Sequence, residues 1–463
     1  MHELAGSPQR VASSDLARRA GARVRAGSLA VDAMLVCVVA LGLGLIRLGS
    51  PSLWIDESFT ARAMDSSYVS SIDGYHWLYY SLLRPWAIVA GNSEWALRFP
   101  SVVGAMIAAV LVVVLGRKLF DRWIGLVAGL LLATNPFVVK WSQQARGYTF
   151  LLALSVLATL LLLRALERGA RLDWTFYGFV FSAMIVWHPV GGLLLVIPHA
   201  VLAYQRRDRV LPHGLLAAVL ICALGVPWAA QIAMRSTGEG VAMDWLTAPS
   251  REVATDALRD VSGATGLGAL LALVGLWVLR RTGRGDVGVW LGVWALSPFA
   301  LALLVSTLRP IYLDRYLLVA APAFALLAGV TVMGVRRLLR VVLLAGAAVM
   351  TAAGLAQWYS SSDGNWRGED WRSAVRTVVD RRAEADAVVV APWSAAPAAR
   401  YNGADVVDVS TADSIWVLTW SEDGAPVSAA ERAALGFGAH RLVENHDFGR
   451  RVSAQLWKRP GTP

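Results

Sequence analysis

The stretch Leu53-Trp54-Ile55-Asp56-Glu57-Ser58-Phe59-Thr60 sets two carboxylates side by side, directly after an apolar run at roughly 29–48. That run reads as a membrane span. Of the 463 residues, 56% are apolar and only 16% charged, with mean hydropathy +0.51. Soluble domains run nearer a quarter charged. Long apolar runs recur between short Arg clusters, which is the pattern of a polytopic helical membrane protein. The number of runs, and the lack of an A-x-A-like cleavage site after the first, exclude a cleaved signal peptide. Ionisable groups at a membrane boundary are costly unless they serve a function.

Outward from this stretch, we expect about eleven transmembrane helices, at 29–48, 100–116, 123–140, 148–165, 173–189, 190–204, 213–233, 263–279, 287–306, 315–334 and 339–358. Residues 1–27 carry Arg10, Arg18, Arg19, Arg23 and Arg25 and read as a flexible basic cytoplasmic arm. With the N-terminus inside, every inside turn is basic, from Arg117, Lys118 and Arg122 to Arg336, Arg337 and Arg340. The positive-inside rule therefore predicts an N-in, C-out topology. The net charge of +10 lies in these flanking clusters, so we expect contact with membrane lipids and no nucleic-acid partner. Cys37 and Cys222 fall inside apolar runs and carry no redox signature.

Two segments fall outside the spans. Residues 50–98 form an outer loop rich in Trp and Tyr, residues that collect at headgroup level. Residues 359–463 lose the membrane composition and read as a small extracytoplasmic α/β domain. It has a helix at Asp370–Arg382 and strands at Ala387–Ala391, Ile415–Trp420 and Val452–Trp457. Residues 28–358 form the membrane domain.

Ionisable and aromatic side chains crowd the outer surface. Asp56 and Glu57 are candidate catalytic residues, one taking a proton from a hydroxyl and the other orienting the acceptor or binding a divalent cation. Asp73 and His76, three apart, share a face if helical and precede Tyr79 and Tyr80. They suit binding of an acceptor sugar, orientation of the base or ligation of a metal. Arg146, in Gln143-Gln144-Ala145-Arg146-Gly147-Tyr148, is a rare outer guanidinium suited either to a lipid phosphate or to a salt bridge with Asp56 or Glu57. His188 sits on a short outer turn, and Arg315-Tyr316 opens a span from the outside as a second phosphate or pyranose contact. Arg62, Arg84 and Arg98 are loop cations with weaker cases. Asn365–Arg372, in the tail close to the last span, is placed either to cover the cavity or to anchor at the interface.

In order along the chain, Trp54-Ile55-Asp56-Glu57, Asp73/His76-x-Leu78-Tyr79-Tyr80, Ser93–Ser101, Gln144–Tyr148 and Arg315-Tyr316 resemble the membrane-embedded GT-C glycosyltransferases. The nearest branch is the protein O-mannosyltransferase, aminoarabinose-transferase and RgtABCD-like group (glycosyltransferase family 39-type). The resemblance implies an all-α polytopic GT-C fold in the cytoplasmic membrane, with the active site on its outer face. It implies inverting transfer of mannose or another hexose or pentose from a polyprenyl-phosphate donor to a cell-envelope glycan, lipid or protein acceptor. Asp56 takes the place of the family's base, and Arg146 that of the arginine implicated in lipid-phosphate binding. Tyr148, His188 and Tyr316 complete the expected binding set. Relatives carry His-Pro-Pro before Leu-Tyr-Tyr where this chain has Tyr75-His76-Trp77, which leaves the acceptor and any divalent metal ion open. The competing reading, a transporter or flippase of lipid-linked sugars, predicts inverted repeats and broken charged helices at the midplane.

Overall fold

Alanine and arginine are strong helix formers, and the Ala/Arg-rich start of the chain is helical where a flexible arm was expected: the first helix is Pro8–Leu45. The computed structural model describes residues 8–64, 76–210, 213–235, 248–360, 368–406, 412–421 and 425–462. Among these, seven helices are long and apolar enough to cross a membrane: Gly27–Leu45, Glu94–Leu119, Tyr148–Arg168, Gly214–Met234, Gly285–Ser306, Asp314–Gly334 and Arg337–Ser360. Two bent pairs raise the number to as many as nine. The expected spans at 173–189 and 190–204 are the shorter helices Arg171–Trp187, Pro189–Leu193 and Val196–Gln205.

The first bent pair, Arg122–Thr134 and Pro136–Ser142, breaks by 59°. Proline disfavours helical backbone in the residue before it, and Asn135 turns that constraint into a start signal. Its Oδ1 accepts from the Phe137 N–H at 2.9 Å, a capping bond. The bend delivers Gln143–Gly147 to the same place as the helix starts at Ile55, Trp77 and Pro189.

Burial ranks the helices. The apolar window of Asp314–Gly334 is 89% buried and lies at the centre, whereas that of Arg337–Ser360 is only 11% buried and forms the periphery. Small residues permit the tightest crossing. A Cβ on Gly116 would stand 2.5 Å from Gly125 Cα, so the Glu94–Leu119 and Arg122–Thr134 helices meet backbone to backbone.

The tail domain holds a four-stranded sheet of β1 (Ala387–Ala391), β2 (Ser414–Trp420), β3 (Arg441–Phe448) and β4 (Val452–Lys458), in the order β1-β2-β4-β3. β1 pairs parallel to β2, and the other pairs are antiparallel. The helix Trp371–Arg381 packs on it through Trp371, Ala374, Val375 and Val378. Three strands lie where the apolar runs place them. The fourth, β3, is a polar edge strand with a register shift between Leu442 and Glu444, features that protect an edge and conceal it from a hydrophobic pattern.

Candidate active site

The site begins at the helix Ile55–Ala63, whose first turn carries both adjacent carboxylates. Their environments are opposite. Glu57 is fully buried and receives the Arg98 guanidinium as a fork, Nε to Oε1 at 2.8 Å and Nη2 to Oε2 at 2.6 Å. The Ala145 N–H adds a third bond at 2.7 Å. Arg98, itself buried, spends its other donors on the carbonyls of Leu48, Pro51 and Ser52. The expectation that Glu57 orients an acceptor or binds a cation thus meets a carboxylate engaged on both oxygens. Asp56 differs: its side chain is 26% exposed and its Oδ2 lies 3.5 Å from Arg315 Nη2.

The Gln143–Gly147 turn is fastened at every residue. Gln143 Nε2 donates to the Ile46 carbonyl at 2.7 Å, and Gln144 Oε1 accepts from Trp54 Nε1. The Ala145, Arg146 and Gly147 carbonyls accept from Thr60 Oγ1, Ser101 Oγ and Trp187 Nε1. So anchored, Arg146 reaches inward, largely buried. Its Nη1 donates to the Asp56 main-chain carbonyl at 3.1 Å and to the Tyr80 hydroxyl at 3.2 Å, and its Nη2 to His76 Nε2 at 2.8 Å. All three acceptors are neutral. The salt bridge from Arg146 to Asp56 or Glu57 is replaced by pairing of those carboxylates with Arg315 and Arg98.

Arg315 is buried among rings. Its guanidinium carbon lies 5.7 Å from the Trp141 centroid and 5.8 Å from those of Tyr148 and Tyr316, cation–π distances. His188 packs at 4.4 Å centroid separation against Tyr316, the rings tilted by 59°, and lies 5.6 Å from the His76 and Tyr148 rings. Its Nδ1 accepts from the Gly191 N–H at 3.1 Å. Burial, with Arg146 and Arg315 nearby, pushes the His188 imidazole down to about 3. Burial and then Arg146, His188 and Arg315 hold His76 well below the ordinary histidine range. Both rings are therefore neutral at physiological pH, and the cluster of Asp56, Arg146 and Arg315 carries one excess positive charge.

Ten of the described candidates come together here: Asp56, Glu57, His76, Tyr79, Tyr80, Arg146, Tyr148, His188, Arg315 and Tyr316. Asp73 lies outside the described residues. Arg98, ranked low in the sequence, is the partner of Glu57. Glu369 falls within the Asn365–Arg372 stretch noted in the sequence but was not singled out as a site residue: it sits in the tail, and its Oε2 accepts from the Ile55 N–H at 2.9 Å. Among the described residues, no group of three or more His, Cys, Asp or Glu side chains is arranged to hold a metal ion.

Below the turn an apolar groove of about 410 Å³ runs along the bundle, lined by Tyr79, Leu83, Leu111, Leu154 and Trp187 among others. Tyr79 and Trp187, with ring centroids 5.7 Å apart, form its upper end. Trp187 holds the Gly147 carbonyl through Nε1, so the groove ends against the Arg146 turn.

A family model described as dolichyl-phosphate-mannose-protein mannosyltransferase matches residues 78–230, the part that contains Tyr79, Tyr80, Arg146, Tyr148 and His188. The chain is similar in structure to ArnT from Cupriavidus metallidurans bound to undecaprenyl phosphate, with TM-score 0.62 at 14% identity, over 91% of this chain and 97% of that one. It is also similar to the apo oligosaccharyltransferase of Archaeoglobus fulgidus, with TM-score 0.52 at 12% identity, over 80% of this chain and 63% of that one. Among curated protein sequences, none matches. The fold is that of the GT-C membrane glycosyltransferases. The family match and the ArnT fold agree with the mannosyltransferase and aminoarabinose-transferase resemblance anticipated from the motifs.

Proposed function

We propose that this protein is an inverting glycosyltransferase of the cytoplasmic membrane. It moves a sugar from a polyprenyl-phosphate donor to an acceptor hydroxyl on the outer face. The observation that carries the reading is Arg146: a buried guanidinium whose hydrogen bonds go to a carbonyl, a phenol and a neutral imidazole. A buried charge needs an opposite charge close by, and a lipid phosphate supplies it. The apolar groove ending at Tyr79 and Trp187 suits the prenyl chain, which then never leaves the bilayer.

In this mechanism the Asp56 carboxylate removes the proton from the acceptor hydroxyl. The oxygen attacks the anomeric carbon from the face opposite the phosphate. The bond from that carbon to the phosphate oxygen breaks, and polyprenyl phosphate leaves as a dianion. Arg146 and Arg315 stabilise the developing charge, and the proton passes from Asp56 to water. Tyr80, Tyr148, His76 and Tyr316 line the sugar site. Glu57 acts as a positioning residue: it fixes the Arg146 turn through the Ala145 N–H while Arg98 neutralises it. Mannose or another hexose or pentose is the transferred group, and a cell-envelope glycan, lipid or protein the acceptor.

The test offers purified protein in nanodiscs a panel of polyprenyl-phosphate sugars with extracted envelope glycans. Wild type and Asp56→Asn run in parallel, with and without chelator. Transfer from one donor, lowered roughly 10²–10⁴-fold in the variant, supports the base assignment. Full activity of Asp56→Asn sinks it. Movement of lipid-linked sugar across vesicles with no transfer from any donor makes the protein a flippase.

A further inference from the structure

At the start of the helix Ile55–Ala63, Glu57 reaches back to the Trp54 N–H at a long 3.4 Å, but the residue at the cap position is not one of the usual capping types. That residue is Trp54, which makes no side-chain capping bond. Ser, Thr, Asp and Asn are preferred there because a helix start leaves N–H groups without internal partners. The Ile55 N–H is nevertheless met, by a carboxylate from 314 residues away: Glu369 Oε2 at 2.9 Å. Glu369 is fully buried, and the same oxygen accepts from Trp371 Nε1 at 3.2 Å. A carboxylate at this position also faces the positive end of the helix dipole.

The carboxylate is rigidly mounted. The Gly368 carbonyl accepts from the N–H groups of Arg450 and Arg451 at 3.0 and 3.2 Å, at the turn between β3 and β4. On the other side, Asp370 caps the Trp371–Arg381 helix through the Ser373 N–H at 3.1 Å. The approach at this turn is close: a Cβ on Gly449 (φ 83°) would stand 2.3 Å from the Gly368 oxygen. The tail domain also docks nearby by other contacts. The Arg372 N–H donates to Ser52 Oγ, the Arg372 guanidinium pairs with Glu94 and reaches the Ser50 carbonyl, and Tyr401 donates to the Asn92 carbonyl.

We propose that Glu369 is a positioning residue for the transfer reaction, the N-cap that the tail domain supplies to the helix bearing Asp56. Ile55 directly precedes Asp56, so the carboxylate that holds the Ile55 N–H sets where the base stands relative to Arg146 and Arg315. This rests on the reading of Asp56 as the base.

The test compares full-length wild type, Glu369→Ala, Glu369→Gln and Arg372→Ala by amide hydrogen exchange of the peptide spanning 53–60 and by sugar transfer. Glu369→Ala is expected to speed exchange in that peptide about tenfold while leaving the buried Asp314–Gly334 helix unchanged. It lowers kcat about tenfold with the donor KM unchanged, because Arg146 still holds the phosphate. Glu369→Gln keeps an acceptor oxygen and stays within about threefold of wild type in both. Arg372→Ala loosens the docking without touching the cap and leaves kcat unchanged. Wild-type exchange in Glu369→Ala overturns the proposal, as does an equal loss of kcat in Arg372→Ala, which would make the domain a general brace. If wild type transfers no sugar, the glycosyltransferase reading fails, and the exchange experiment still decides whether Glu369 caps the helix.

Discussion

Asp56 and Glu57 are neighbours in the chain, yet disturbing their two ion pairs is expected to cost very different amounts of stability. Take Arg98→Gln first. It removes the positive partner of a carboxylate with no solvent access. Breaking a buried pair by deleting one member costs about 3–5 kcal/mol, because the remaining charge stays buried and uncompensated. The carbonyls of Leu48, Pro51 and Ser52 lose their guanidinium donor in the same step, at about 1 kcal/mol each where water cannot enter. These costs overlap with the penalty of the stranded charge rather than adding to it in full, so the loss should lie near the upper end of that range, about 5 kcal/mol. Arg98→Lys keeps the charge but not the fork and should lose about 1–3 kcal/mol. Asp56→Asn removes a partner that is 26% exposed and 3.5 Å from Arg315; Arg315 keeps its ring contacts and the Asp314 charge nearby, so stability should change by at most about 1 kcal/mol. The assay is unfolding in mixed micelles by increasing denaturing detergent, read by tryptophan fluorescence. The expected order of stability is wild type and Asp56→Asn together, then Arg98→Lys, then Arg98→Gln. An Arg98→Gln protein within about 0.5 kcal/mol of wild type, the range of ordinary surface changes, would refute the claim that Glu57 is sealed in a buried pair.

Three further outcomes can be checked on the same preparation. Arg146→Lys keeps a cation but cannot reach the Asp56 carbonyl, Tyr80 and His76 together, so kcat/KM for the lipid donor should fall roughly 10–100-fold. Gly147→Ala would put a methyl 2.7 Å from Trp187 Nε1 and 3.2 Å from the Tyr79 ring; transfer should drop while Arg98-dependent stability is retained, and an unchanged rate would mean that the turn is looser than described. His188 titrates near 6.5 when unfolded and at about 3 when folded, so the unfolded state binds more protons between those values. Stability should be full above about pH 6.5 and fall as the pH drops towards about 3; His188→Asn, which keeps an acceptor for the Gly191 N–H, should flatten that slope in unfolding curves taken at pH 4, 5, 6 and 7.

The fold was legible because two strong regularities carry it. Span-length apolar runs announce helices that need no partner to satisfy their backbone, and the switch to mixed composition after Trp358 announces the tail. The departures have local causes. Arg122–Thr134 and Pro136–Ser142 read as one run because both halves are apolar, and only the Asn135-Pro136 step betrays the bend. Strand β3 escaped because Arg441–Phe448 shows no period-two alternation: Leu442 and Val443 are adjacent and a polar run follows them, at an edge where no hydrophobic face is required.

At the site, residues that act through their own chemistry were legible, and residues that act through a partner were not. Asp56, Arg146, His76, His188 and Arg315 were candidates because ionisable groups are costly near a bilayer, and that argument needs no knowledge of what they touch. Glu57 satisfies the same test, and so in sequence it looks like Asp56. What separates the two is Arg98, 41 residues further on. No spacing rule links Glu57 to Arg98, because the partners lie on different helices. Glu369 is the same problem at greater range: the Asn365–Arg372 stretch reads as a cover or an interface anchor, and only the folded chain shows that one carboxylate in it reaches the Ile55 N–H. The division of labour between adjacent carboxylates is thus a property of the bundle. One is neutralised by Arg98 and holds the turn carrying Arg146 through the Ala145 N–H, and the other is left partly exposed, as the proposed base requires.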